Sequence, residues 1–283
     1  MSPSNKEQFR VIFHLSQNQP WLMDRYEELE NLLWNECDSE DKRNLVIDLI
    51  DRFEYLSSQR YAELIDELAE SVTTDPELVE AETQLVALAA DSGADSSQYV
   101  LYNLKTALEK LGWRKYKQVN QFSKSFREYK KNNSLKRIVL IDEFVGSGQT
   151  VVSRVDEIRR VYQQNGVDDL KICVKVVAAT EEGISRIRGE GIDIDSLISL
   201  KKGISGEYEY EVARSKIELM CLIENKLYPY CNEEPLPSLG YGQVEALYCR
   251  DGGNVPNSVF PIFWWPFSRD GNERPVLLTR AMG

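Results

Sequence analysis

The chain has 283 residues and a mass of 32.6 kDa, room for one large domain or two ordinary ones, and its 42% apolar and 28% charged content is that of a globular chain rather than a disordered one. Lys and Arg number 34 against 46 Asp and Glu, a net charge of −12 with a pI near 4.8, which disfavours broad nonspecific binding to a phosphate backbone. There is one histidine, His14, so His-rich zinc sites are excluded and a Ser-His-Asp mechanism is not expected.

The start, MSPSNKEQFRVIF, lacks the basic-then-apolar layout of a secretion signal, and no apolar run approaches the ~18 residues of a membrane span. Five cysteines (37, 173, 221, 231, 249) show no CxxC spacing, and an odd count argues against a closed disulfide set. A reducing, cytoplasmic setting is the expectation, with no membrane partner.

The first 82 residues read as an acidic helical module. Trp21, Tyr26, Leu29, Leu32 and Leu33 recur at helical spacing, as do Leu45, Leu49, Ile50, Phe53 and Leu56 after caps at Asp38 and Ser39, then Tyr61, Leu64, Ile65 and Leu68. Thr74 and Glu77 have capping-box spacing around Pro76, which predicts another helix start. Residues 1–95 carry seven Lys/Arg against 22 Asp/Glu, whereas residues 96–140 carry 11 against two. Such asymmetry fits modules with different partners or a self-complementary assembly, and equally two solvated helix faces.

From about residue 83 the period changes. Leu85–Ala89 is a short apolar run, followed by a helix over 99–111. Arg137–Ile141 reads as a buried strand, with a helix to Gln164 ended by Asn165-Gly166. A strand at 170–178, a helix at 181–188 and a strand at 192–200 complete the alternation, which predicts an α/β core over 83–205 built on a parallel sheet, with ligands at the carboxyl ends of its strands. Residues 206–283 form a C-terminal extension: a helix near 209–227, a Pro-rich connector at 234–242 and the apolar segment Val259–Pro266. Phe263, Trp264 and Trp265 in that segment offer either a hood that stacks on a base or ordinary core packing.

The segment Ile138–Thr150 carries the chemistry. A hydrophobic strand delivers Asp142 and Glu143, and a tight loop, Gly146-Ser147-Gly148, leads through Gln149 and Thr150 into a helix. Glycines let the backbone wrap an anion, the new helix directs free N–H groups at it, and Ser147 and Thr150 add hydroxyls. A branched side chain at Gly148 is expected to fill the anion's space. The two acids would repel phosphate, but they suit the hydroxyls of a vicinal diol or a magnesium ion. A phosphate cup beside a diol clamp matches ribose 5-phosphate. A P-loop would need a Lys that is absent, and a dinucleotide fingerprint would need a glycine where Val151 stands. A plain strand-to-helix turn is the structural alternative.

Val139–Thr150 resembles the phosphoribosyl-diphosphate signature of type I phosphoribosyltransferases, a hydrophobic strand, two acids, two hydrophobics and a short Gly/Thr loop. The Gly-Ser-Gly form after Phe144, with Trp264-Trp265 near the C-terminus, is similar to a divergent bacterial branch linked to conflict and phage defence, including some retrons. The resemblance implies an α/β fold with a parallel sheet of phosphoribosyltransferase type, the N-terminal helical module and the aromatic C-terminal extension lying to either side. It implies Asp142 and Glu143 as the catalytic, ribose-binding acids with a Mg2+ ion, and Gly146–Thr150 as the 5-phosphate loop. It also implies a diphosphate loop after the first core strand, where Ser92, Gly93 and Ser96 stand beside Asp91 and Asp95, two acids with no cation.

The ligand implied is phosphoribosyl diphosphate or a nucleotide. The activity implied is phosphoribosyl transfer or hydrolysis of a nucleotide's glycosidic bond, in an antiphage effector. The alternative is a catalytically silent ligand sensor or assembly subunit that regulates a partner. In a retron-like setting that partner would be a reverse transcriptase with its nucleic acid, met by the basic residues Lys115–Lys131, and self-association is the other expectation.

Overall fold

The computed structural model describes residues 5–89 and 95–282. In chain order it forms α1 (Asn5–Asn18), α2 (Tyr26–Glu30), α3 (Glu40–Asp51) and β1 (Glu54–Leu56), then α4 (Ser58–Thr73), β2 (Thr83–Ala87), α5 (Ser96–Lys110), β3 (Lys117–Val119) and α6 (Ser125–Lys131). There follow β4 (Arg137–Val145), α7 (Gln149–Gln163), β5 (Lys171–Thr180), α8 (Glu181–Gly189) and β6 (Asp193–Leu200), and finally α9 (Tyr210–Glu224), β7 (Tyr230–Cys231), β8 (Glu234–Pro235) and β9 (Tyr248–Arg250). Among the described residues no helix is long and apolar enough to cross a membrane.

These elements fall into two compact units. One is split in sequence: the chain up to Ser57 joins the stretch from Lys201 onward, and Ser58–Leu200 is inserted between them. The divisions drawn from sequence at 82/83 and 205/206 therefore differ from the compact units. The N-terminal helices share a unit with the C-terminal extension, and α4 belongs with the sheet.

The inserted unit is built on a five-stranded sheet of order β3-β2-β4-β5-β6, parallel throughout. Helices cover such a sheet on both faces, so its central strands read as unbroken apolar runs, and Ile138–Ile141 are all buried. One face receives Val151, Val155, Ile158 and Tyr162 of α7 against Ile138, Leu140, Val174 and Val176. The sequence expectation of an α/β fold with a parallel sheet holds, but β3 and α6 were not expected, and two segments differ from their reading. Strand β4 runs on through both acids to Val145, because Val145 still pairs with Ala179 of β5. No helix starts at Thr74. Its hydroxyl donates back to Glu70 O (2.8 Å), closing α4, and Asp75 turns inward to an ion pair with the buried Lys175 of β5 (3.1 Å).

The split unit explains the aromatic C-terminus. Phe263, Trp264 and Trp265 are at most 2% exposed; Trp264 Nε1 donates to Val259 O (2.9 Å), and Phe263 meets Phe53 edge-on at 5.6 Å. The buried Arg274 ties this segment to the N-terminal helices. Its Nη1 donates to Trp265 O (2.7 Å) and its Nη2 to Ile262 O (3.0 Å), while Nε meets Glu36 Oε1 at 3.0 Å. Removing one partner of such a pair costs about 3–5 kcal/mol, because it strands the other charge. The three aromatics are core residues with no ring face left open, which corrects the base-stacking expectation.

Candidate active site

The site forms where β4 ends. Asp142 and Glu143 are the sixth and seventh of its nine residues, so their side chains point to opposite faces of the sheet. Asp142 is half-buried, and Glu143 is 4% exposed. The backbone N–H of Glu143 donates to Asp142 Oδ1 (2.7 Å), and the Ser96 hydroxyl donates to the same oxygen (3.2 Å). Ser96 opens α5, whose N-cap is Asp95; the Asp95 carboxylate accepts from Ser97 N (2.8 Å). Thus Ser96, expected in a diphosphate loop, does reach the acid pair. Ser92 and Gly93 lie outside the described residues.

Burial pushes the Asp142 carboxyl up to about 8, and the nearby Asp95 and Glu143 charges push the same way, against the Glu143 N–H and Ser96 hydrogen bonds. The folded state thus holds a proton that the unfolded chain releases near pH 4. The stability this group contributes is complete below about pH 4 and is lost as pH rises towards 8. Asp142→Asn keeps the Oδ1 acceptor and removes the titration. In EDTA, its melting temperature should match the parent near pH 4 and exceed it at pH 8; equal curves at both pH values would refute the buried-acid assignment.

Beyond Val145 the chain turns through Gly146–Gly148 into α7. Gly148 is the N-cap, with φ at +74° in the left-handed region, and its carbonyl accepts the first helical bond from Val152 N (3.1 Å). The first-turn N–H groups of α7 therefore have no intrahelical acceptor, and Gln149 and Thr150 are exposed around them. Ser147 is half-buried beside them. All five loop residues named from sequence stand together at one helix N-terminus, two residues beyond the acid pair.

Sequence reasoning missed what holds this loop. Thr180, the last residue of β5, donates its hydroxyl to Gly146 O (2.8 Å) and accepts from Gly183 N (3.0 Å) as the N-cap of α8. Arg186 of α8 approaches Gln149 Oε1 at 3.4 Å. The capping pattern Thr180-Glu-Glu-Gly183 was the available signal, but it says nothing about which loop lies alongside. The basic stretch is also more ordered than its charge suggested. Lys117, Arg127 and Lys131 converge on the buried Glu128 at 3.1, 3.6 and 2.7 Å, and the hydrogen bonds of Lys131 and Lys117 hold its carboxyl below the usual range.

Among the described residues no group of three or more His, Cys, Asp and Glu is arranged to hold a metal. A magnesium ion needs less. One or two carboxylates with substrate oxygens suffice, and a carboxyl crowded by Asp95 and Glu143 is a fitting donor.

No curated protein matches the chain in sequence. Solved structures that resemble it include orotate phosphoribosyltransferase from Aeropyrum pernix, at 15% identity and a TM-score of 0.33, covering 50% of this chain and 71% of that one. Hypoxanthine-guanine phosphoribosyltransferase from Schistosoma mansoni, solved with IMP, resembles it at 9% identity and a TM-score of 0.34, covering 52% and 65%. A Neisseria gonorrhoeae protein solved with ppGpp does so at 13% and 0.32, covering 53% and 85%. The PRTase-CE family model matches residues 33–275, most of both units, and with the parallel sheet and its acid-loop site it places the fold among those of phosphoribosyltransferase type. The chain belongs to the PRTase-CE family.

Proposed function

We propose that the inserted unit binds a ribose 5-phosphate ligand, phosphoribosyl diphosphate or a nucleotide, and acts on its anomeric carbon. The observation that carries this reading is the succession of Asp142-Glu143 and the Gly146–Thr150 cup at the carboxyl end of one buried strand. The 5-phosphate sits on the first-turn N–H groups of α7, with the Ser147 and Thr150 hydroxyls at its edge. The ribose hydroxyls donate to Asp142, on the side of the sheet that Ser96 reaches, and Glu143 acts from the opposite face through its charge. In transfer, the C1–O bond to diphosphate breaks, the leaving oxygen keeps the electron pair, and an acceptor forms the new bond to C1. In hydrolysis of a nucleotide, water takes the acceptor's place and the base leaves with a proton. Asp142 would hold a Mg2+ ion, which would supply positive charge for the diphosphate, and Glu143 would add its charge from the opposite face of the sheet. With its proton drawn off by the metal, Asp142 would join Glu143 in stabilising positive charge developing on the ribose ring, so the chemistry does not depend on His14.

A second reading, a catalytically silent sensor or assembly subunit, draws support from Asp95: the segment expected to cradle diphosphate brings a carboxylate, not a cation, towards Asp142. In either reading we propose an antiphage role of retron type. A reverse transcriptase with its nucleic acid, or a second copy of the chain, is then the partner of the basic residues over 115–131. The resemblance of Val139–Thr150 to the defence-associated branch supports that assignment.

A calorimetric screen of phosphoribosyl diphosphate and mononucleotides, with and without Mg2+, tests the reading. Saturable binding that Mg2+ strengthens is expected, and no binding to any of them overturns it. Product formation separates enzyme from sensor. Light scattering at low and high salt, alone and with the neighbouring gene products, tests the partner: a complex that dissociates with salt is expected, and a salt-independent monomer that binds none of them removes it.

A further inference from the structure

We infer that Thr180 is a positioning residue for the phosphate loop: its hydroxyl fixes the orientation of the Gly146–Ser147 peptide and thereby aims the Ser147 N–H at the anion. The inference rests on the reading above and concerns a residue outside the acid-loop motif.

Thr180 is 1% exposed, and its hydroxyl has one proton to give. Gly183 N donates to Oγ1 (3.0 Å), so the proton goes to the other neighbour, Gly146 O (2.8 Å). The Gly146 carbonyl is thereby turned towards β5 and α8. In a trans peptide the N–H lies opposite the C=O, so the Ser147 N–H faces away from Thr180. A carbonyl turned the other way would present a partial negative charge to the phosphate. With that peptide held, the Ser147 N–H can join the first-turn N–H groups of α7 in one concave donor set.

Packing enforces the same arrangement. A Cβ on Gly183 would lie 2.1 Å from Gly146 O, so only glycine lets α8 approach the loop this closely. A Cβ on Gly148 would lie 2.8 Å from Gly183 O. Two glycines and one hydroxyl thus clamp the loop from the side of α8, and the anion meets a donor set already in place before it binds. Preorganised donors of this kind make no reorganisation demand at binding.

The experiment compares Thr180→Val and Thr180→Ser with the parent. Titration calorimetry against inorganic phosphate and against phosphoribosyl diphosphate is paired with thermal unfolding of each variant. Valine matches threonine in shape but leaves the Gly146 carbonyl and the Gly183 N–H unpaired. It should weaken both ligands by about tenfold or more, whereas serine, which keeps the hydroxyl, should bind within about threefold of the parent. If Thr180→Val melts lower yet binds with parental affinity while folded, Thr180 is only a helix cap and the inference fails. If the parent itself binds neither phosphate nor phosphoribosyl diphosphate, the reading of the site fails and the inference falls with it.

Discussion

Replacing Asp142 by Asn and Glu143 by Gln together should abolish the function of the site, with a loss of about 100-fold or more in turnover or in affinity for phosphoribosyl diphosphate. Both substitutions keep the shape of the side chain and remove the charge it would carry with Mg2+ bound. Charge-assisted hydrogen bonds from the ribose hydroxyls to Asp142 become neutral ones, a change of roughly 1–2 kcal/mol each, the Glu143 charge behind them is lost, and the Mg2+ donor is weakened as well. Unfolding does not account for the loss. The amide of Asp142→Asn can still accept from Glu143 N–H and from Ser96, and it no longer presents a carboxyl whose ionisation burial opposes. Glu143 is buried, so the single variants are needed to separate its packing from its charge. The measurements are turnover or ligand affinity, cell toxicity where the protein is toxic, and the melting temperature of each variant. A folded double variant with parental activity would remove the two acids from the active site.

The acid-loop segment was legible because its signals are local. Four buried apolar residues mark a parallel strand, glycines mark the turn, and the next apolar residues recur at helical spacing as Val151, Val155 and Ile158. Long-range pairing hid the rest. Phe53 and Leu56 sit at helical distance from Leu49, yet the chain leaves α3 at Asp51. Residues Glu54–Leu56 become β1, paired in parallel with Tyr248–Arg250 almost 200 residues later. Nothing near Leu56 announces that partner. Trp264 and Trp265 are open in sequence to a stacking role as well as to core packing, because composition alone does not say what covers an aromatic. Arg274 and Glu36, from opposite ends of the chain, decide it. Thr180 stands in sequence where a helix cap would, and only the register of β4 against β5 shows that it caps α8 and grips the loop at once. The second loop was legible only as a place, and of its expected residues Ser96 alone can be followed to Asp142.

Gly148→Val should eliminate phosphate binding, for a different reason from the one the motif suggests. The glycine does not simply leave room for the anion. Its missing side chain would point the other way, at α8, with a Cβ 2.8 Å from Gly183 O and 3.2 Å from Ile187 Cγ1. The first of these is backbone and cannot swing aside. The φ of +74° adds a left-handed conformation that costs a non-glycine residue about 1–2 kcal/mol, more for a branched one. The loop must move away from α8, which pulls Gly146 O off Thr180 and disperses the N–H groups that would hold phosphate. Gly166→Ala provides the control: Gly166 has φ +73° at the far end of α7, yet a Cβ there meets nothing within 4 Å. That variant should lose about 1 kcal/mol of stability and keep its affinity. Gly148→Ala should fall between the two, with the same backbone strain and the same Cβ collision but no branched methyls to place. Calorimetric titration with phosphate and with phosphoribosyl diphosphate, each beside a melting curve, gives the order Gly166→Ala, Gly148→Ala, Gly148→Val in falling affinity. A folded Gly148→Val protein that binds both ligands as the parent does would show that the anion, if it binds at all, does not use this loop.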